Sequence, residues 1–595
     1  MPLSLIVSAL QKYTSCFCML MTHKREENEA MWNKITLEMD TLSVNKLPLD
    51  EEYRLLGARS LVAEYLIRNV QPTCDALGSE NRIIFCTTLF AGTPMTTAGR
   101  LSVGTKSPLT GGIKESSVGG LAATLMAGQG IKLIEVLGQS DGLYYLYIDP
   151  EGQVSLEDAS DYQLMGNYAF SAAMRQKYGE KTAVMSIGQA GERQYKAASI
   201  QVTEFGEGYP SRAAGRGGVG AVMGSKGLKG IVIAKATETY KPEYADEALF
   251  KKACGKINKM IASGASKDPF HNIGTISTIE ATSKTGILPV QNFSGRLMAD
   301  CSGVSAQTFL TNLAKRGGCN KKPCQPGCVV QCSNVYNDEK GDYLTSGFEY
   351  ETVALFGPNC MITDLDVIAR MDHLCDDMGI DTIEMGTGIA VCMEADKLEW
   401  GDTAAAYALL EEVRDGTEFG RVLGNGCESA GKHLGCERIP VVKHQALAGY
   451  DPRNTKGTGV TYSTSPQGAD HTAGLTMGRA FDDAGRAGQA YASNKLQSVL
   501  CFADSMMCLF AFSNCIPGVP HLAEMMEGLY GGSWKPADLL GLGIKCLMTE
   551  KKFNMLAGMT TADDRLPSFF YEERSRATGS QFDLIDEELD AIFEF

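Results

Sequence analysis

The stretch LKGIVIAKATETYKPEYADEALFKKACGKINKMIASG, residues 228–264, changes its period halfway along. Leu228–Ala236 is a short apolar, β-branched run set off by Gly227 and Gly230, which reads as a buried strand. From Phe250 the apolar side chains Phe250, Ala253, Cys254, Ile257 and Ile261 return at three- and four-residue steps, one face of a helix. The same two textures sort the rest of the chain. From about Trp32 to Ala236, glycine punctuates short β-rich runs such as RIIFCTTLFAG (82–92), GIKLIEVLGQ (130–139) and GLYYLYID (142–149). Beyond Tyr240 helical spacing prevails, as in LDVIARMDHLCDDMG (365–379), and a second helical region follows the loop GYDPRNTKGTG (449–459). The expected fold class is therefore α+β. A β-rich, sandwich-like N-terminal base domain over residues 31–240 precedes two mainly α-helical domains, 241–440 and 441–595. A chain of 595 residues is too long for one core. Residues 1–30 read as an N-terminal extension, with Met31 as an alternative start. They hold no basic n-region, twin arginine or small-residue cleavage site.

A mean hydropathy of −0.11, with 44% hydrophobic and 21% charged residues, describes an ordinary soluble globular protein. The net charge of −16 sets the chain against nucleic acid and anionic membrane surfaces. No run of about 20 apolar residues is present, so no membrane span is expected and the expected compartment is the cytoplasm. Nineteen cysteines in a chain this long are not the density of a disulfide scaffold. Most are expected to be reduced in the core.

A few cysteines are spaced as ligands. RGGCNKKPCQPGCVVQC (316–332) holds Cys319, then Cys324, Cys328 and Cys332 in a C-x3-C-x3-C array with Gly327 in the turn. Three thiolates this close can wrap one face of an iron–sulfur cube. A sulfur-only zinc site or a metal-free cysteine-rich loop are the alternatives that the spacing leaves open. Two glycine-rich segments look like anion cradles: GRLSVGTKSPLTGGIKESSVGG (99–120), with Arg100 and Lys106, and SRAAGRGGVGAVMGSKGLKG (211–230), with Arg212 and Arg216. Neither matches a Walker loop or a complete dinucleotide fingerprint, and plain turns between strands are the alternative. Acidic residues among apolar neighbours mark FEYETVALFGPNC (348–360) and LCDDMGIDTIEMG (374–386), because buried carboxylates need partners or a chemical task. An internal ion pair for Glu351 and a helix C-terminal turn for Asp376 are the structural alternatives. Of seven histidines, His471 alone sits in a glycine-flanked loop, SPQGADHTAG (465–474).

Taken in order, these segments resemble the aldehyde:ferredoxin oxidoreductase family of tungsten enzymes from about Trp32 nearly to the C-terminus. TLFAGTPMTTAGRLSVGTKSPLTGG (88–112), AAGRGGVGAVMGSKGLKGIVI (213–233) and the cysteine triplet come first. GFEYETVALFGPNC (347–360), CDDMGIDTIEMG (375–386), YDPRNTKGTGVTYSTSPQGADH (450–471) and ADSMMCLF (503–510) follow. The resemblance implies a tungsten or molybdenum atom held by two molybdopterins, with magnesium bridging the pterin phosphates. It places Arg100, Arg212, Ala213, Arg216, Gly217 and Gly218 near those phosphates, and Lys106, Ser117, Gly119 and Gly120 join them as candidate cofactor-binding residues. Asp376, Gly379 and Asp381 fall on the first pterin-binding motif and Asp504 on the second. Cys324, Cys328, Cys332 and Cys508 would hold a [4Fe–4S] cluster, while Glu351 and His471 match the family's proton-transfer residues. Ser117 stands where the family often has a magnesium-ligating asparagine. The x3–x3 spacing and the shortened Asp504–Cys508 motif leave Cys319 and Cys501 as alternate cluster ligands.

The activity implied is oxidation of an aldehyde to a carboxylate, with electrons leaving through the cluster to ferredoxin or a small iron–sulfur subunit. The assembly implied is a homodimer or hetero-oligomer. Two other functions remain on the same fold: low-potential reduction of an aromatic acyl thioester, and a non-catalytic electron-transfer subunit.

Overall fold

The computed structural model describes residues 32–478 and 482–593, so the extension at 1–30 and the alternative start at Met31 lie outside the described residues. Twelve strands fill the first third. They are β1 (Asn33–Glu38), β2 (Ser43–Pro48), β3 (Ile83–Thr87), β4 (Leu101–Lys106), β5 (Ile113–Val118) and β6 (Ile131–Leu137), then β7 (Tyr144–Ile148), β8 (Val154–Asp158), β9 (Ala183–Ser186), β10 (Ile200–Val202), β11 (Arg212–Ala214) and β12 (Leu228–Ile233). They form two six-stranded sheets, ordered β2-β1-β6-β3-β4-β5 and β11-β10-β9-β12-β7-β8. Only the β1–β6 and β7–β12 pairs are parallel within these two sheets. The sheets share one core, in which Ile35, Phe85, Leu101 and Ile134 of the first meet Leu146, Met185, Ile231 and Ile233 of the second. The sandwich-like base expected from the sequence is present.

The apolar run Ile231–Ile233 of β12 is covered on both faces. Leu228, Ile231 and Ile233 face the shared core, whereas Val232 packs on the far side against Tyr145, Phe170 and Met174. A strand covered on both faces has no polar side to alternate with. The helix Ala58–Asn69 lies so close on β4 that a Cβ at Gly104 would meet Val62 Cγ1 at 2.4 Å. Glycine alone permits that approach.

Past Tyr240 the elements are mainly helical. Asp246 caps Glu247–Ser263 by accepting from the Leu249 N–H, and the stripe Phe250, Ala253, Cys254, Ile257 and Ile261 is buried against the helix Val519–Tyr530. Burying Phe250, Ile257 and Ile261 contributes roughly 1.5–3 kcal/mol each. The largest core mixes Phe293, Val353, Ile389 and Leu447 with Val460, Leu547 and Phe582, so the two helical regions interleave. Arg59 and Glu550 form a buried bidentate pair at 2.8 Å, joining Ala58–Asn69 to the helix Pro536–Leu556. Removing one partner of such a pair costs about 3–5 kcal/mol. Among the described residues no single helix is long and apolar enough to cross a membrane.

Candidate functional site

The cysteine triplet lies on a loop pressed against the edge of the first sheet. Gly120 N–H donates to the Cys324 carbonyl (3.0 Å), and a Cβ at Gly119 would meet Cys324 Sγ at 3.2 Å. Thr96 Oγ1 donates to the Gly327 carbonyl (2.6 Å). From the far end of the chain Cys508 arrives by donating its N–H to the Thr97 carbonyl (3.1 Å). Cys328, Cys332 and Cys508 share one core cluster. A hydrogen bond from Cys328 lowers the Cys324 thiol to about 6, against burial and with help from Arg212 and Arg100. Burial raises Cys332 and Cys508, and the shared hydrogen bond raises Cys328. A thiol ionised near neutrality between two guanidinium groups suits a metal-ligating thiolate. Among the described residues no three His, Cys, Asp or Glu side chains close around a single ion.

The two alternate ligands go elsewhere. Cys319 is exposed on a strand paired with Val335. Cys501 is buried with Cys546 and Arg59. Neither spacing nor composition distinguished them from Cys508; the packing of distant segments does.

Three arginines run inward from this loop, Arg100 half-buried and Arg212 and Arg216 buried. Arg100 donates from Nε and Nη2 to Ser117 Oγ (3.3 and 3.0 Å). Burial opposes its charge, but Cys508, Cys324, Asp504 and Glu115 raise it. Ser117, the candidate cofactor-binding position on β5, is thereby brought against the Arg100 guanidinium. Burial raises the nearby Asp504 carboxyl, while Arg59, Arg100 and Ser117 pull it down.

Arg212 donates from Nη1 to Glu349 Oε1 (3.3 Å), whereas its buried Nε and Nη2 have no hydrogen-bond partner. Gly347, at φ 66°, makes room for this guanidinium; a Cβ there would lie 1.1 Å from Arg212 Nη2. Two orphaned, charged donors in the interior call for an anion. This is the observation that fits the residues to a phosphate-bearing cofactor. Beside them burial and Asp372 push Asp376 well above the carboxylate range, against the pull of Arg212. Asp372 itself is pushed up to about 7 by burial.

Arg216 ties the interior together. Its guanidinium donates to the Ala469 carbonyl (2.6 Å), the Ala446 carbonyl and Asp381 Oδ2 (3.4 Å). Asp381 is at the same time the N-cap of the helix Thr382–Glu394, and Gly379 ends Leu365–Met378 in the left-handed conformation. Gly217 and Gly218 turn β11 into the short helix Val219–Ser225, and Ala213 is exposed on β11.

Lys106 is a correction. Its ammonium is buried on the Pro72 and Cys74 carbonyls (2.5 and 2.7 Å), so the residue braces the back of β4 instead of facing the arginines.

Glu351 sits in the first turn of the helix Tyr350–Phe356, and His471 opens the short turn His471–Ala473. Glu351 Oε2 accepts from the Gly449 N–H at 2.7 Å. His471 Nε2 lies 3.5 Å from Glu351 Oε1, with the side chains 20% and 15% exposed. Glu351 Oε1 and His471 Nδ1 are both buried without a hydrogen-bond partner. Burial raises the Glu351 carboxyl, although His471 and Arg216 pull against it. A second pair, unnoticed in the sequence, anchors the histidine loop: Lys114 Nζ meets Asp470 Oδ2 at 2.8 Å with both groups buried. Lys114, Arg216 and His471 outweigh burial and hold Asp470 far below the usual carboxylate range. Both residues stood inside motifs already singled out, GGIKESS and GADH, but their complementarity spans 356 positions.

Comparison with known proteins follows the same lines. The family model for the N-terminal domain of aldehyde ferredoxin oxidoreductase matches residues 33–235, and the model for its domains 2 and 3 matches residues 252–595. The chain belongs to the aldehyde ferredoxin oxidoreductase family, and its motif order is that family's. The tungsten-containing aldehyde ferredoxin oxidoreductase of Pyrococcus furiosus is 30% identical over 577 residues, covering 91% of this chain and 92% of the relative. The enzyme of that name from Thermococcus kodakarensis is 29% identical over 572 residues, covering 91% of each. An aliphatic sulfonate oxidoreductase, WOR-like subunit, of P. furiosus is 25% identical over 546 residues, covering 84% of this chain and 82% of the relative. Among solved structures, the BamBC active-site complex of benzoyl coenzyme A reductase shares the fold. Its TM-score is 0.78 at 18% identity, over 95% of this chain and 93% of that one.

Proposed function

We propose that this chain is the catalytic subunit of a tungsten or molybdenum bis-molybdopterin enzyme that oxidises aldehydes to carboxylates. Its electrons would leave through a [4Fe–4S] cluster on Cys324, Cys328, Cys332 and Cys508 to ferredoxin or a small iron–sulfur subunit. The observation that carries the reading is the Glu351–His471 pair, half-buried beside Arg216, with Glu351 Oε1 and His471 Nδ1 lacking a hydrogen-bond partner. A non-catalytic electron-transfer subunit has no use for such a pair. Arg100, Arg212 and Arg216 would face the pterin phosphates, with Asp376 and Asp504 on the pterin rings. We place the chain in the cytoplasm. We divide it at 31–240, 241–440 and 441–595, the last two interleaved through a shared core.

The bound metal and cluster supply a two-electron acceptor and a one-electron outlet. The rest falls to the protein. Conversion of R–CHO and water to R–COO⁻ releases three protons and two electrons, so a base must stand by the carbonyl. The Gly449 N–H holds Glu351 Oε2 and leaves Oε1 to take a proton from the attacking water. Its raised carboxyl is tuned toward the pH at which a base works. His471 can donate an N–H to the carbonyl oxygen as charge builds there, on a loop that the Lys114–Asp470 pair immobilises.

The test is turnover of a panel of aliphatic and aromatic aldehydes with a viologen dye as acceptor. Aldehyde-dependent dye reduction is expected. A fully loaded protein that ignores every aldehyde but reduces an aromatic acyl thioester would replace this reading with the thioester one.

A further inference from the structure

We infer that the basic surface around the cysteine loop is the docking site for an acidic iron–sulfur protein that takes the enzyme's electrons. The inference rests on the proposed cluster at Cys324, Cys328, Cys332 and Cys508.

The cysteines lie just beneath the surface. Their exposures are 5–9%, while Gly327 between them is exposed. A groove of about 480 Å³ opens directly onto the loop, walled by Pro94, Met95, Asn258, Pro326, Gly327 and Val329. Beside it an apolar patch reaches solvent. Phe510, two residues after Cys508, is 37% exposed and packs on Phe270 with ring centroids 4.8 Å apart. Ile516, which follows the helix Leu509–Cys515 that carries Phe510, is 46% exposed. An apolar centre with a charged rim is the ordinary anatomy of a protein interface.

The rim is basic in an acidic protein. Between residues 250 and 333 the sequence carries eleven Lys and Arg against three Asp and Glu, in a chain of net charge −16. Lys252, Lys256 and Lys259 project from the exposed face of Glu247–Ser263, and Lys321 is exposed across the loop. None of these four enters an ion pair among the described residues, whereas Arg316 and Lys322 in the same stretch are spent on Asp366 and Glu204.

The lysine helix is latched to the cysteine loop. Asn258 donates to the Pro94 carbonyl (3.0 Å) and accepts from the Thr96 N–H (3.0 Å), and Thr96 Oγ1 bonds Gly327. On the opposite side Asn320 donates to the Asn272 carbonyl, which brings Lys321 to the Phe270 patch. A positive rim around a shallow redox centre attracts a negatively charged carrier and orients it toward the cluster. Each aldehyde oxidised releases two electrons, so two oxidised carriers each take one.

The experiment compares the loaded wild-type enzyme with the Lys256→Glu/Lys259→Glu/Lys321→Glu triple variant, the single Lys259→Glu variant, and Lys432→Glu, exposed on the helix Cys427–Leu434, as a control outside the elements packed on the cysteine loop. Three readouts are taken: aldehyde turnover with viologen, aldehyde turnover with an acidic ferredoxin, and ferredoxin binding by interferometry at low and high salt. Viologen turnover of all variants is expected at the wild-type level. For ferredoxin, kcat/KM of the triple variant should fall on the order of ten- to a hundredfold, with a smaller fall for the single variant and none for the control. Rising salt should weaken wild-type binding and leave the triple variant nearly flat. Equal ferredoxin kcat/KM and binding in the wild type and the triple variant would overturn the inference. So would a wild-type dimer in sedimentation that the triple variant alone dissolves, since a second copy would then own the surface. Absence of viologen-linked aldehyde turnover in the wild type would instead sink the functional reading, and ferredoxin binding would still decide the docking.

Discussion

Replacing Glu351 by Gln keeps the volume and keeps an oxygen for the Gly449 N–H at 2.7 Å, but it removes the carboxylate oxygen assigned as the base. A positioned general base contributes about 10²–10⁴-fold, which corresponds to about 2.7–5.4 kcal/mol at 1.36 kcal/mol per decade. Aldehyde turnover of the variant should drop by that factor, while metal, pterin and iron contents stay at wild-type levels. The pH profile sharpens the test. Burial raises the Glu351 carboxyl and a base acts deprotonated, so wild-type kcat should rise with pH through that raised value and then level off. The Gln variant should lack this limb. Glu349→Gln is the control. Glu349 stands before the first turn of the helix that carries Glu351 and is held by Arg212 and Thr275, so the two carboxylates face different partners. Wild-type turnover in Glu351→Gln with full cofactor content would refute the base assignment. Loss confined to Glu349→Gln would move the role to the wrong carboxylate of the pair.

Purified anaerobic enzyme should carry about four irons per chain with a reducible EPR signal, as one cube requires. Cys328→Ser should abolish the signal while Cys319→Ser and Cys501→Ser retain it; the reverse pattern would discard the ligand set. Burial and Asp504 push Glu115 up to about 8, so the folded state keeps a proton that the unfolded chain releases near 4.5. Its contribution to stability is complete below that pH and is lost as the pH rises through 8. Glu115→Gln should flatten the fall in Tm across this window, and an unchanged slope would remove Glu115 as its source.

Much of this molecule was legible in the sequence because local sterics write themselves into spacing. The return of Phe250, Ile257 and Ile261 every three or four residues fixes a buried helix face wherever the helix docks. The apolar run Ile231–Ile233 demands cover on both faces of its strand. Ordered motifs over the whole chain sufficed for the family. Partner choice is different. Lys106 and Arg100 sit in one glycine-rich segment six positions apart, yet one is taken up by the carbonyls behind the sheet and the other joins the cysteines. Ser117 carries no mark in the sequence of the Arg100 guanidinium that the fold brings onto its hydroxyl. Cys501 and Cys508 differ in nothing that spacing weighs, but one packs with Cys546 and the other reaches Thr97. A buried polar group must satisfy its hydrogen bonds with whatever the folded chain brings beside it. Those neighbours arrive from hundreds of residues away, so periodicity could set which faces are buried while only the tertiary packing decided what each buried group meets there.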